Sequence, residues 1–234
     1  MKAIFCKEIK SYFLSIQGYV FIGVFLLICG YYFVAYNVMG ENTEIGNMLD
    51  NTIVAFTFLI PILTMRLFAE EKRMKTSPVY MSAPLKSWQI VLGKYFAACA
   101  VFVMAVLFSG ISALCVMAEG GQTLGELFCV YTGYILVGCC FISVGMFVSA
   151  LTESQIAAAV ISFGVCFLLY LADWLKEVSS LGAVEFAADM VAVAYHYEKF
   201  LSGVLDLAAI GYFISFAAML VAFTILKTEG ERYR

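Results

Sequence analysis

The sequence predicts an all-α, polytopic membrane protein with six transmembrane helices. Of its 234 residues, 63% are hydrophobic and only 13% are charged, whereas soluble domains carry about 25% charged residues. A chain this apolar has too few polar side chains to cover a water-soluble core, so lipid is its expected solvent. Six segments have about the 20 mostly apolar residues that a membrane helix needs, at roughly 18–39, 53–69, 91–117, 127–151, 155–175 and 206–226.

The segment Met1–Phe13 precedes the first span and predicts an amphipathic helix at the cytoplasmic membrane interface. Lysines and a glutamate fill most positions between its apolar residues, as in helices that lie among lipid headgroups. A frayed, charged tail is the alternative interpretation. The apolar residues at helical spacing are Ile4, Phe5, Ile9, Tyr12 and Phe13.

The distribution of basic residues predicts that both termini are cytoplasmic. Short cytoplasmic loops of membrane proteins are enriched in Lys and Arg. With the N-terminus inside, only Lys176 and Lys199 of the 14 basic residues fall outside. We therefore expect a multi-pass protein of the plasma (inner) membrane with both ends in the cytoplasm.

The end of the second span carries proline and several charges. Pro61 lacks a backbone donor and predicts a kink in this helix. Arg66 and Glu70 are four residues apart, so they share a helix face and can pair, and Glu71, Lys72 and Arg73 are expected to continue the helix into water. Ordinary snorkelling of charges at a helix end is the alternative.

A short cytoplasmic helix is predicted between spans two and three. Ser77 can cap it and Pro78 can occupy its first position, while Pro84 ends it. This segment, roughly Pro78–Ala83, is suited to dock into a groove on a soluble partner and to transmit movement. The thirty residues 175–205 are too charged to cross the bilayer and predict one or two short re-entrant or interfacial helices before span six.

The chain lacks the motifs of an enzyme. Gly93-Lys94 is followed by Tyr95, and Trp88 stands where a phosphate-binding loop needs glycine. His196 is the only histidine, too few for a common zinc site. The net charge of -3 gives no sign of nucleic-acid binding. We expect one permease domain, 1–234, with no catalytic residue, metal or cofactor of its own.

Two blocks of sequence, Pro61–Glu71 and Val91–Lys94, are similar to a known family. They resemble ABC-2 type transporter permeases, with the gliding-motility type as the most similar subgroup. Further similar stretches span nearly the whole chain. Lys75-Thr76-Ser77-Pro78 departs from the Gly-Thr-x-Glu usual at these positions. The resemblance implies a coupling helix, pairing with a second permease copy, and cytoplasmic ATP-binding-cassette subunits that bind ATP and magnesium. In this fold, spans one, two and five often form the contact between the two copies.

Coupling to the ATPase subunit is expected from eight residues. They are Arg66, Glu70, Glu71, Lys72, Arg73, Pro78, Tyr80 and Met81. The expected function is therefore export or membrane extraction of a substrate, driven by ATP hydrolysed in a separate subunit. A non-transporting membrane anchor or sensor for an ATPase is the alternative, and an intramembrane enzyme is disfavoured by the missing catalytic cluster.

Small residues at every fourth position predict close helix packing. Such stripes occur at Ala105, Ser109 and Ala113 and at Gly145 and Ser149. They could form contacts within the chain or the seam between two copies.

Overall fold

The computed structural model describes residues 1–40, 44–75, 86–118, 120–178 and 193–232. Within these ranges the secondary structure is helical. The helices are α1 (Lys2–Leu14), α2 (Ile16–Phe33, continued by a π-helical turn at Val34–Val38), α3 (Gly46–Thr64), α4 (Ala69–Arg73), α5 (Ser87–Ala118), α6 (Leu124–Leu151), α7 (Gln155–Val178), α8 (Val193–Leu201) and α9 (Leu207–Arg232).

Six helical segments in the described chain are long and apolar enough to cross a membrane, which confirms the predicted class and number of spans. They are Ile16–Val38, Gly46–Arg73, Ser87–Ala118, Leu124–Leu151, Gln155–Ala172 and Leu207–Glu231. The second begins at Gly46 rather than near residue 53, because its first turns carry the polar residues Asn47, Asp50 and Asn51. A search for apolar residues alone therefore starts this helix too late.

Helix α6 lies at the centre of the bundle, where it packs against α3, α5, α7, α8 and α9. Two glycines permit this close packing. A Cβ at Gly145 would overlap the Thr64 side chain on α3, and one at Gly138 would overlap the Phe102 ring on α5. The stripe of Gly145 and Ser149 is therefore a contact within the chain.

The second small-residue stripe also faces the interior of the chain. Ala105, Ser109 and Ala113 on α5 are all buried. Next to this stripe an aromatic cluster joins α2, α3, α5 and α6. Its ring pairs include Phe56 with Tyr134 at 4.7 Å and Phe56 with Phe102 at 5.1 Å between centroids, and such pairs add about 0.5–1.5 kcal/mol beyond area burial.

Helix α1 packs along α5. Ile4 is buried against Gly93, where an added Cβ would lie 3.0 Å from the Ile4 side chain. Tyr12 is buried too, and Lys2, Lys7 and Lys10 are exposed. The predicted helix is thus present, while its place at the lipid headgroups stays a prediction.

The turn from α8 to α9 is held by an ion pair. The Lys199 ammonium lies 2.8 Å from an Asp206 carboxylate oxygen, and the other oxygen accepts the Ala208 N–H at 2.8 Å. The hydrogen bond from Lys199 lowers the pKa of Asp206.

Residues 179–192 of the predicted re-entrant region lie outside the described residues. His196 stacks on Tyr212 with 4.1 Å between ring centroids, a packing role.

Candidate coupling site

The second span is broken at its charged end. Helix α3 continues through Pro61 to Thr64, and Met65–Phe68 form a non-helical turn before α4. Helix ends leave up to four carbonyls without helical partners. Side chains from four other helices donate to carbonyls at this end: Gln17 to Ile62 (3.0 Å), Tyr12 to Leu63 (3.0 Å), Ser149 to Met65 (3.1 Å) and Lys94 to Leu67.

The broken end of the span is therefore fixed by α1, α2, α5 and α6 together. We call these four donors and the turn Met65–Phe68 the coupling hub. Burial raises the pKa of Tyr12 well above its ordinary value, so its phenol remains a hydrogen-bond donor. The bonds to the Leu63 and Leu67 carbonyls are buried. A buried carbonyl without a partner costs about 1–3 kcal/mol, so these donors stabilise the unusual turn.

Ser149 on α6 fixes the start of α4. Its hydroxyl oxygen accepts the N–H groups of Phe68 at 3.1 Å and Ala69 at 3.2 Å, while its proton goes to the Met65 carbonyl. The serine side chain thus bonds to both sides of the break. Ser149 is fully buried, so this bonding is not exchanged with water.

Lys94 on α5 is the buried charge at the centre of the hub. Its side chain is 2% exposed, and its ammonium lies 2.8 Å from a Glu71 oxygen and 3.6 Å from a Glu8 oxygen. It also lies 4.8 Å from the centre of the Phe68 ring, within cation–π range. One ammonium therefore holds α1, α4 and α5 together.

Arg66 pairs with Glu70 as the spacing predicted. The guanidinium donates to both carboxylate oxygens, at 2.5 and 2.8 Å, and to the Gln17 side chain at 2.8 Å. Both charged side chains remain about one-third exposed, so the pair contributes no more than about 1 kcal/mol to stability. Its main effect is to fix the orientation of α4 against α2.

The expectation that Glu71 and Lys72 continue into water is wrong. Glu71 turns back to Lys94, and Lys72 donates to the Ala150 carbonyl and pairs with Glu231 on α9 at 2.6 Å. Their side chains are only 18% and 15% exposed. The break at Met65–Phe68 rotates α4 so that these charges face the bundle, and Arg73 alone among the charges of α4 is exposed rather than half-buried.

The remaining predicted site residues divide into two groups. Pro61 lies inside α3, which stays helical for three more residues, so a kink there stays a prediction. Pro78, Tyr80 and Met81 lie outside the described residues. Sequence reasoning missed five residues of the site, which are Glu8, Tyr12, Gln17, Lys94 and Ser149. Glu8 had a usable signal, since it shares the helix face of the buried Ile4 and Tyr12.

Six helical segments long and apolar enough to span a membrane define a multi-pass membrane protein, with the charged hub at the end of its second span. Among the described residues no group of three or more potential metal ligands occurs. The family model of the ABC-2 family transporter proteins matches residues 32–175, which is more than half of the chain. The chain belongs to this family and is a membrane permease subunit of an ABC transporter. The comparison with curated proteins gave no match.

Proposed function

We propose that this permease exports a substrate, or extracts one from the membrane, using ATP hydrolysed by a separate cytoplasmic subunit that acts on the coupling hub. The observation that carries the proposal is the anchoring of α4. This five-residue helix directly precedes the segment 76–85 and is bonded to α1, α5, α6 and α9 through Glu71, Lys72 and the Ser149 hydroxyl. A force applied at 76–85 is therefore transmitted through α4 to four other helices, because all the bonds to them lie within one turn of α4.

The charges of the hub make this connection stiff. Lys94 is bonded to α1 and α4 at once, so α4 cannot shift without moving α1 or breaking a buried ion pair. Leaving one partner of such a pair buried without its counter-charge costs about 3–5 kcal/mol. That cost favours rigid-body movement of the hub over local rearrangement, as a lever between an ATPase and the spans requires.

The proposed assembly contains two permease copies and two ATP-binding-cassette subunits, which hold the ATP and magnesium. It lies in the plasma (inner) membrane with both termini of each permease in the cytoplasm, and it belongs to the gliding-motility type. Arg66 and Glu70, together with Pro78, Tyr80 and Met81, contribute to the surface that meets the ATPase. The resemblance of Pro61–Glu71 and Val91–Lys94 supports this assembly.

The dependence of ATP hydrolysis on α4 tests the proposal. The complex is purified through a tag on the permease and reconstituted in liposomes, and ATP hydrolysis is measured per permease. We expect the double substitution Glu70→Ala and Glu71→Ala to lower hydrolysis at least about tenfold with normal insertion. Glu44→Ala, an exposed acidic residue before α3, is the matched control. Unchanged hydrolysis in the double variant would exclude α4 from coupling.

Accessibility labelling tests the proposed orientation. Cys6 is exposed on α1, and Asn47 is exposed at the opposite end of the bundle, at the start of α3. A membrane-impermeant maleimide applied to intact cells is expected to label Asn47→Cys and to label Cys6 only after permeabilisation. The reverse pattern would place the termini outside.

A further inference from the structure

A cavity opens at the hub end of α2, α3 and α7. It has a volume of about 530 Å³, and its walls combine apolar and basic side chains. The lining residues are Ile16, Gln17, Val20, Met65, Arg66, Glu70, Arg73, Met74 and Gln155. Glu70 neutralises Arg66, whereas no residue in the described part of the chain pairs with Arg73. The cavity therefore carries one uncompensated positive charge.

A second cavity lies beside the first, between the same two helices and one turn further from the hub. It has a volume of about 560 Å³ and almost wholly apolar walls. On α2 the wall advances from Val20 at the mouth to Val24, Leu27 and Tyr31, at spacings of three and four residues that keep one helix face. On α3 it includes Phe58 and Ile62, one turn from Met65 and Arg66 of the mouth. The lining residues are Val24, Leu27, Ile28, Tyr31, Tyr32, Val54, Ala55, Phe58, Leu59 and Ile62.

We call these two neighbouring cavities the α2–α3 groove. Its mouth at the hub end is cationic, and its body between the spanning segments of α2 and α3 is apolar. Each cavity has the about 300–1,000 Å³ typical of sites for small molecules. A molecule that satisfies both ends must carry a negative headgroup on an apolar chain. We propose that this α2–α3 groove binds an anionic phospholipid of the cytoplasmic leaflet, with its phosphate at Arg73 and an acyl chain along Leu27 and Phe58.

A second copy of the chain is the competing occupant, because the family resemblance places spans one, two and five at the contact between copies. Two copies in one membrane face each other across an axis along the membrane normal, so the same patch of each copy meets. A contact over the groove would then bring the Arg73 mouths of both copies together. Like charges repel at such a seam, whereas a lipid phosphate neutralises Arg73.

Photo-crosslinking from inside the groove distinguishes the two occupants. The full chain carrying Leu27→p-benzoylphenylalanine is reconstituted in vesicles of equal parts phosphatidylglycerol and phosphatidylcholine, and adducts are identified by mass. Leu27 is 71% exposed. Leu107→p-benzoylphenylalanine on α5, at a residue 67% exposed, reports contact with bulk lipid. We expect phospholipid adducts at both sites, with phosphatidylglycerol enriched about fivefold at Leu27 over Leu107, the effect of one basic residue near an anionic lipid.

Charge variants complete the test. Arg73→Gln is expected to abolish the enrichment at Leu27, and Lys86→Gln, an exposed cation on the same side of the membrane, to leave it unchanged. An adduct of two permease chains at Leu27 would show that a second copy covers the groove. Equal labelling of both lipids, an unaltered ratio in Arg73→Gln, or no adduct at Leu27 while Leu107 reacts would each overturn the proposal.

Discussion

Replacing Lys94 with methionine is expected to destabilise the protein strongly. Methionine keeps most of the buried stem but removes the ammonium, so Glu8 and Glu71 lose their buried cation and keep only the half-exposed Lys7 nearby. The Leu67 carbonyl also loses its donor. Removing one partner of a buried ion pair costs about 3–5 kcal/mol. Because the Glu71 side chain retains 18% exposure and water can reach it, we expect the lower end, about 3 kcal/mol.

A double-mutant cycle separates the ion pair from other effects of the substitution. Glu71→Gln keeps the shape of the side chain and leaves Lys94 bonded to the Leu67 carbonyl, so we expect it to cost about 1–2 kcal/mol. With both substitutions, no uncompensated charge remains at position 71. The double variant should therefore be more stable than the sum of the single effects predicts, by about 1–2 kcal/mol.

The assay is reversible unfolding in detergent micelles, with the free energy of unfolding measured for all four proteins of the cycle. Lys7→Met is the matched control. Lys7 faces the same carboxylates, at 3.5 Å from Glu8 and 3.8 Å from Glu71, but its side chain is 51% exposed. It should cost no more than about 0.5 kcal/mol. A cost below about 1 kcal/mol for Lys94→Met, or additive single effects, would refute the buried ion pair as the centre of the hub.

Three further predictions concern packing, backbone conformation and pH. Gly145→Ala should destabilise the bundle by about 1–3 kcal/mol, because the new methyl group would overlap the Thr64 side chain and force α3 and α6 apart. Gly164→Ala, with open space around the Cβ position, should instead stabilise α7 by about 0.5–1 kcal/mol in the same unfolding assay. Lys75 ends α4 with φ at 53°, a left-handed conformation that costs a non-glycine residue about 1–2 kcal/mol, so Lys75→Gly should raise the free energy of unfolding by up to about 1 kcal/mol. The pKa of Asp206 is lowered in the folded protein. Its contribution to the free energy of unfolding is therefore complete above the ordinary carboxylate pKa and is lost as the pH falls through the lowered value. Asp206→Asn should remove this part of the pH dependence of stability below about pH 4.

The membrane class and the number of spans followed from the sequence because they depend on apolar content over about 20 residues. That quantity is local and does not require knowledge of which helices touch. The pairing of Arg66 with Glu70 was predictable for the same reason, since helix geometry alone places residues four apart on one face. Helix starts with polar residues, such as Gly46–Asn51, were missed by this criterion.

The coupling hub could not be predicted because its contacts join distant parts of the chain. Lys94 meets Glu8 and the Leu67 carbonyl, and Ser149 meets Met65, and each contact depends on how whole helices rotate in the bundle. The break itself was also hidden, since methionine, arginine and leucine all favour helix. Without the break, Glu71 would be expected in water, and the structure instead directs it to Lys94.

The central claim is that an ATPase subunit contacts the chain at the cytoplasmic end of the second span, and a crosslink between the two proteins tests it most directly. A photo-reactive residue is placed at Met74, which is 67% exposed just after α4, and as a control at Leu124, which is 69% exposed at the opposite end of the bundle. In native membranes, irradiation is expected to join Met74 to a protein that contains an ATP-binding cassette and to leave Leu124 without that adduct. An ATPase adduct at Leu124, or none at Met74, would contradict the account.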